Sequence, residues 1–370
     1  MTVSNEWRTG TLGDLVSFKT GKLDSNAAVL DGDYPFFTCA QETLRTNTFS
    51  FDTECVLLAG NNANGIFPLK YFHGKFDAYQ RTYIVRPWSA DELSTKFLYY
   101  TLRLKLSEFR SFSTGAATKF LTLTILNATD IQVPALSIQQ RIAGILSAYD
   151  ELIENSQRRI KILETMARGL YREWFVHFRF PGHENHPRVA SALGEIPEGW
   201  EVKKFGDVAD LNYGKALKKE DRRDGDFPVF GSSGIVGTHD AALVKGPGII
   251  VGRKGNVGSV FWCDDDYFVI DTAYFVTSSL PLRFLFYVLP TMNFINSDAA
   301  VPGLSRNQAY TLELLAPPIA LVDRFCELAG AFEQQASTLQ RQVRNLRRTR
   351  DLLLPRLLSG QAMPTAPDAG

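Results

Sequence analysis

The sequence predicts an α+β chain: two mixed, strand-rich α/β globules joined by two long antiparallel coiled-coil helices, with a pseudo-twofold internal repeat. Three observations predict it. Residues recur in order at a fixed offset across the two halves, each half passes from short apolar runs into one long helical pattern, and a breaker-rich stretch separates the halves. At 370 residues the chain also exceeds the ~100–200 of a single domain.

The repeat comes first because a duplicated unit sets architecture before any residue is interpreted. Trp7, Gly13, Asp14, Gly21 and Lys22 recur as Trp200, Gly206, Asp207, Gly214 and Lys215, every pair 193 positions apart. Tyr34-Pro35-Phe36-Phe37 matches Phe227-Pro228-Val229-Phe230, and Leu57-Leu58 matches Ile250-Val251, at the same offset. Loops then absorb small length changes. Phe97–Tyr100 matches Phe284–Tyr287 at 187, and Leu121, Pro134 and Arg141 match Leu304, Pro317 and Arg324 at 183.

Strand-like β-branched and aromatic runs include Cys55–Leu58, Tyr83–Val85, Gly248–Val251, Tyr267–Ile270 and Ala273–Val276. Ser94–Leu106 and Pro281–Val288 read as short helices inside the globules. The long helices begin after Pro134 and Pro317-Pro318, since proline holds the residue before it in extended geometry. The first has an apolar seam at Ile138, Ile142, Ile145, Tyr149, Leu152, Ile160, Leu163, Leu170 and Trp174. The second has one at Phe325, Leu328, Phe332, Leu339, Val343, Leu346, Leu353 and Leu357. Roughly forty residues at ~1.5 Å each make rods of ~60 Å, long enough to pack on one another. The expected division is residues 1–135 for the first globule, 136–176 for the first helix and 177–198 for a connector. Residues 199–318 form the second globule, 319–360 the second helix and 361–370 a tail.

Composition excludes several classes. Lys plus Arg and Asp plus Glu both number 40, so any polyanionic partner must be met by local clusters. Cys39, Cys55, Cys263 and Cys326 lack any short paired spacing, which suits buried thiols in a reducing cytoplasm rather than disulfides or zinc. The apolar runs fall short of the ~20 residues of a membrane span, and the start carries no signal-peptide core. His183 and His186 are three apart and followed by Pro187, so they do not form the helical zinc-protease pair; with His177 they read as linker histidines. Gly252–Ser259 is glycine-rich but lacks the phosphate-loop spacing. Arg341, Arg344, Arg347, Arg348, Arg350 and Arg356 make the end of the second helix basic, a solvated face or a contact for phosphate or an acidic partner. Methyltransferase, nuclease and nucleophile-elbow motifs are missing, so the chain reads as non-catalytic.

Three pairs of matched polar loops lie between the apolar elements. Gly60–Gly65, with Asn61, Asn62 and Asn64, matches Gly252–Ser259, with Arg253, Lys254 and Asn256. Tyr79, Gln80 and Arg81 match Ile270-Asp271-Thr272, and the stretch from Thr114 to Lys119 matches the one that ends in Ser305 and Arg306. Arginine and lysine suit guanine edges or phosphates, and asparagine suits adenine. Ser232 and Ser233 and the cations Lys19, Lys22, Lys215, Lys218 and Lys219 complete the set of candidate DNA contacts; solvated surface turns and lysines are the plainer reading of each.

Several strings are similar to type I restriction–modification specificity subunits. They are Trp7–Lys22 and its repeat, the lead-ins Ile131–Pro134 and Leu315–Pro318, Gln139-Gln140-Arg141-Ile142, and Tyr171–Val176 followed by Phe180-Pro181-Gly182. The resemblance spans the chain. It implies two target-recognition domains, each reading one half of a bipartite, gapped double-stranded DNA site, with the helices setting the spacing. It also implies two methyltransferase subunits that use S-adenosylmethionine, and restriction subunits that use ATP and magnesium in the full complex. The chain itself would bind no cofactor. The competing expectation is a structural coiled-coil adaptor with two protein-binding globules.

Overall fold

A computed structural model describes residues 7–63, 65–115, 118–294 and 303–362. The chain divides into two compact units, one of residues 1–157 with 341–370 and one of residues 158–340. Each unit therefore contains one globule and part of both long helices, Leu136–Tyr171 and Ile319–Leu358.

The first unit is built on a six-stranded sheet in the order Val16–Thr20, Thr82–Pro87, Phe51–Ala59, Leu69–Ala78, Tyr34–Phe37, Leu44–Thr46. Tyr34–Phe37 runs parallel to its neighbour Leu69–Ala78; the other pairings are antiparallel. Phe51–Ala59 lies at the centre, and its last five residues are all buried, as a strand covered on both faces requires. Arg8–Thr11 pairs with Asp130–Val133, which delivers the chain to Pro134 and the first long helix. In the second unit a four-stranded sheet runs Ala209–Tyr213, Ala273–Ser278, Gly248–Gly252, Val260–Cys263. Glu201–Lys204 pairs with Glu313–Ala316, repeating the lead-in to the second long helix.

The recurring residues have recurring jobs. A Cβ on Gly21 would lie 1.9 Å from the carbonyl oxygen of Ala78, and one on Gly214 would lie 2.2 Å from that of Ile270, so both mark a backbone crossing that only glycine allows. Gly13 lets the turn Leu12–Leu15 sit on Asn127, as Gly206 lets Phe205–Val208 sit on Tyr310. Trp200 packs on Phe175, Phe178 and Phe180 just beyond the first long helix. Trp7 lies against Gly360 just beyond the second, where a φ of +74° turns the chain.

Within each unit the long helices pack antiparallel. In the first, Ile138, Ile142 and Leu146 share a core with Leu354, Leu357 and Leu358. In the second, Leu163 meets Ala336 and Leu339. Two of the expected seam residues point elsewhere: Leu152 is 55% exposed and Leu328 is 40% exposed. The buried face instead takes Ile153 and Ala329, because these helices pack on sheets and short helices as well as on each other, and a wider face than a heptad seam is covered. Arg350, expected on the basic face, is buried in an ion pair with Asp150 and Asp351. Burial resists the guanidinium charge, but the bonds to Asp150 and Asp351 outweigh it and raise its pKa.

Other local differences have equally local causes. The helix expected over Ser94–Leu106 extends over Thr95–Phe112, capped by the Ser94 side chain, because Phe109 is fully buried and anchors the added turns. The stretch 177–198 contains a hairpin, Arg188–Ser191 with Gly194–Pro197, and buries Phe180 and Ile196 in the core of the second unit. His183 Nδ1 is 2.8 Å from the Phe180 carbonyl and His186 Nε2 is 2.9 Å from that of Glu198, so these histidines close turns. Burial pushes the Cys55 thiol up to about 12 and the Cys326 thiol up to about 11, which favours the protonated form of both at neutral pH.

Candidate nucleic-acid interface

The matched loops converge in each unit on one backbone frame. Gly60 N–H donates to Arg81 O at 2.8 Å and its carbonyl accepts from Leu121 N at 2.9 Å. Arg253 N–H donates to Thr272 O at 2.9 Å and its carbonyl accepts from Leu304 N at 2.8 Å. Tyr79 N and Ile270 N likewise donate to Phe37 O and Phe230 O, both at 2.9 Å. The Tyr83 hydroxyl donates to the Leu121 carbonyl, as that of Tyr274 does to Leu304. Three loops far apart in sequence thus meet at the end of the central strand of each sheet.

In the first unit Asn61 and Asn62 pair with Phe120 and Lys119. Thr114 is exposed and bridges Phe120. The exposed Arg81 guanidinium lies 5.9 Å over the Phe120 ring. Gln80 Nε2 donates to Asp24 at 3.0 Å, and Tyr79 is half-buried beside Leu23. Lys22 is exposed next to that turn. Asn61 turns its Oδ1 inward, where it has no hydrogen-bond partner among the described residues. Asn64 lies outside the described residues. Lys19 is not in this cluster; it lines a separate groove with Arg86 and Trp88.

In the second unit Arg253, Lys254, Ser305 and Arg306 line one hollow with Tyr213, Tyr274 and Asn307. The Arg253 guanidinium lies 4.8 Å over Tyr213 and 5.7 Å over Tyr274, and its Nη1 donates to the Asp271 carbonyl at 3.0 Å. Arg306 lies 5.3 Å over Tyr213 and 5.8 Å over Tyr310. Lys254, Asn256 and Ser233 are exposed, and Gly255 and Gly258 take φ of +78° and +74° to make the turn that carries them. Ser232 accepts at its carbonyl from Ser259 Oγ at 2.6 Å, which ties the Gly231–Gly234 turn to this loop. Lys215 is exposed beside Val269, whereas Lys218 and Lys219 are exposed farther along, at a short 3-10 turn.

Tyr213 and Phe120 were not among the residues expected at the site. The available signal was the mismatch at the duplicated position of Tyr213, which is Thr20 in the first half; Tyr213 is 50% exposed and carries two guanidiniums. Burial, then the bond and charge of Tyr213, push the Tyr274 phenol up to about 12, with Arg253 pulling it back. Because the folded value is raised, the stabilisation is complete below the ordinary phenol value of ~10 and is lost as pH rises toward about 12. Alkaline difference spectra of the chain and of Tyr274→Phe should differ by one late-titrating tyrosine; a difference that appears already at the ordinary phenol value of ~10 would mean the phenol is not held as described.

The family described as type I restriction modification DNA specificity domain matches residues 4–165 and 197–308. The chain belongs to this family. The two matched stretches of this specificity-domain chain contain both loop clusters. It is 33% identical to the type I restriction enzyme EcoDI specificity subunit of Escherichia coli over 226 residues, 56% of this chain and 49% of that protein. It is 26% identical to the MjaIX specificity subunit of Methanocaldococcus jannaschii over 312 residues, 73% of this chain and 70% of that one. The chain thus spans about half the length of the Escherichia coli relative. A crystal structure of a type I restriction-modification system S subunit from M. genitalium shares the fold, with a TM-score of 0.72, 18% identity and 98% of each chain covered.

Proposed function

We propose that this specificity-domain chain is the non-catalytic DNA sequence-specificity subunit of a type I restriction–modification enzyme. Each unit reads one half of a bipartite, gapped double-stranded DNA target, and the helices that continue from one unit into the other set the gap. The observation that carries this reading is the duplicated loop frame with unlike side chains: Asn61, Asn62, Lys119 and Arg81 in one unit, Arg253, Lys254 and Arg306 in the other. Equal backbone with unequal donors is what two readers of two different base sequences need. Lys22 and Lys215 flank the clusters where phosphates would pass, and Thr114, Tyr79, Gln80, Ser232, Ser233, Asn256, Asp271 and Ser305 supply further polar groups.

The long helices offer apolar side chains to solvent, among them Leu152, Ile162, Met166 and Leu352, and these suit docking of methyltransferase subunits. Those partners would bind S-adenosylmethionine and flip the target adenine, and restriction subunits would bring ATP and magnesium. Among the described residues no helix is long and apolar enough to cross a membrane, and no group of three or more ligating side chains fits a metal ion.

Single-molecule sequencing of adenine methylation, in cells carrying the cognate methyltransferase with and without this chain, tests the reading. A gapped motif should appear only with the chain, and exchange of residues 199–318 for the corresponding segment of another specificity subunit should alter one half of it alone. If the complex assembles and no methylation depends on the chain, a structural adaptor of protein-binding units takes its place.

A further inference from the structure

Arg253 stands where the first unit has Gly60, with the same two main-chain bonds, so its side chain is an addition to a shared frame. We propose that the Arg253 guanidinium reads a guanine in the half-site taken by the second unit, with Tyr213 as its positioning residue. This rests on the DNA-reading role proposed above.

A guanidinium has five donors in a planar fork. One of those on Arg253 Nη1 is taken by the Asp271 carbonyl at 3.0 Å, and the plane is held over the rings of Tyr213 and Tyr274. Tyr274 is itself locked, buried to 1% and donating its hydroxyl to the Leu304 carbonyl. The Nε and Nη2 edge carries two parallel donors with no carboxylate partner among the described residues, set in an open hollow beside the Tyr274 hydroxyl, which shares a hydrogen bond with the guanidinium. Guanine presents two acceptors, O6 and N7, side by side in the major groove and fits that edge. Adenine sets a donor beside N7 and does not. A phosphate also accepts from such a fork, so the two are told apart by whether one base pair alone is relaxed; the exposed Lys254 next to it supplies a point charge for phosphate. Arg306 shares the Tyr213 ring at 5.3 Å, which sets a second guanidinium beside the first.

The test uses the full chain assembled with its cognate methyltransferase, reading the methylated motif of wild type and variants by single-molecule sequencing. Arg253→Ala should relax one G·C pair in the half-site of the second unit, with discrimination there falling on the order of ten- to a hundredfold and the other half unchanged. Arg253→Gln should move the preference at that same pair toward adenine, since glutamine matches N6 and N7. Tyr213→Ala should relax the same pair in part, and Tyr213→Phe should restore it, because the ring and not the hydroxyl holds the guanidinium. Lys254→Ala should lower methylation at all sites alike. A uniform loss for Arg253→Ala with no position relaxed would make Arg253 a phosphate contact and overturn the inference. So would relaxation of an A·T pair or of a pair in the first half. Absence of any gapped motif with the wild-type chain would instead sink the DNA-reading role itself.

Discussion

Asp150→Ala is expected to destabilise the first unit by about 3 kcal/mol, a large fraction of what holds any domain together. Asp150 sits on the first long helix and accepts from three directions: the Tyr100 hydroxyl at 2.8 Å, Arg103 at 3.5 Å, and Arg350 on the second long helix. Removing the carboxylate leaves Arg350, with a side chain only 10% exposed, dependent on its neighbour Asp351. A buried charge stripped of one of its two partners costs more than a missing one. Arg350→Met should therefore cost only about 1 kcal/mol, since Asp150 keeps Tyr100 and Arg103 and the methionine fills the space. The second unit repeats the device: Glu333 accepts from the Tyr287 hydroxyl at 2.6 Å and from Arg283 at 2.7 Å. Hydrogen exchange should show Asp150→Ala loosening Thr95–Phe112 and sparing Leu282–Val288, with Glu333→Ala doing the reverse. Equal loosening of both helices by either variant would mean that the network is not local to its unit.

Gly21→Ala and Gly214→Ala should each cost about 3 kcal/mol or more, an unusual penalty for one methyl group. The added carbon would stand 1.9 Å from Ala78 O in one case and 2.2 Å from Ile270 O in the other. Both obstacles are backbone, so no side-chain rotation relieves them; the strand ends must separate. Those strands carry the Tyr79–Arg81 and Ile270–Thr272 turns of the two loop clusters. The methylation motif should then lose definition in the half read by the altered unit before the complex fails to assemble. Gly144→Ala, on the first long helix with open space around it, is the control and should be neutral or slightly stabilising. Denaturant midpoints for the three variants decide the matter: near-wild-type stability for Gly21→Ala and Gly214→Ala would refute the close crossing.

The sequence by itself determined the duplication and the element types. Glycines at 21 and 214, tryptophans at 7 and 200 and the prolines before each long helix act through local sterics and short-range packing, and such signals survive in the order of residues. The matched loops were legible for the same reason, because Leu121 and Leu304 close the same main-chain bond in both halves. Tertiary structure alone decided which residues those loops meet. Nothing near Arg253 in sequence announces Tyr213, forty positions away, as the ring beneath it. Nor does the helix pattern tell Leu152 from Ile153, or a solvated arginine from Arg350, since both choices depend on what a separate element places opposite. The breaker-rich stretch 177–198 gained its hairpin in the same way, from the aromatic core that takes Phe180 and Ile196. Periodicity reports the conformation of a segment, whereas burial and ion pairing report its neighbours, and only folding brings those neighbours together.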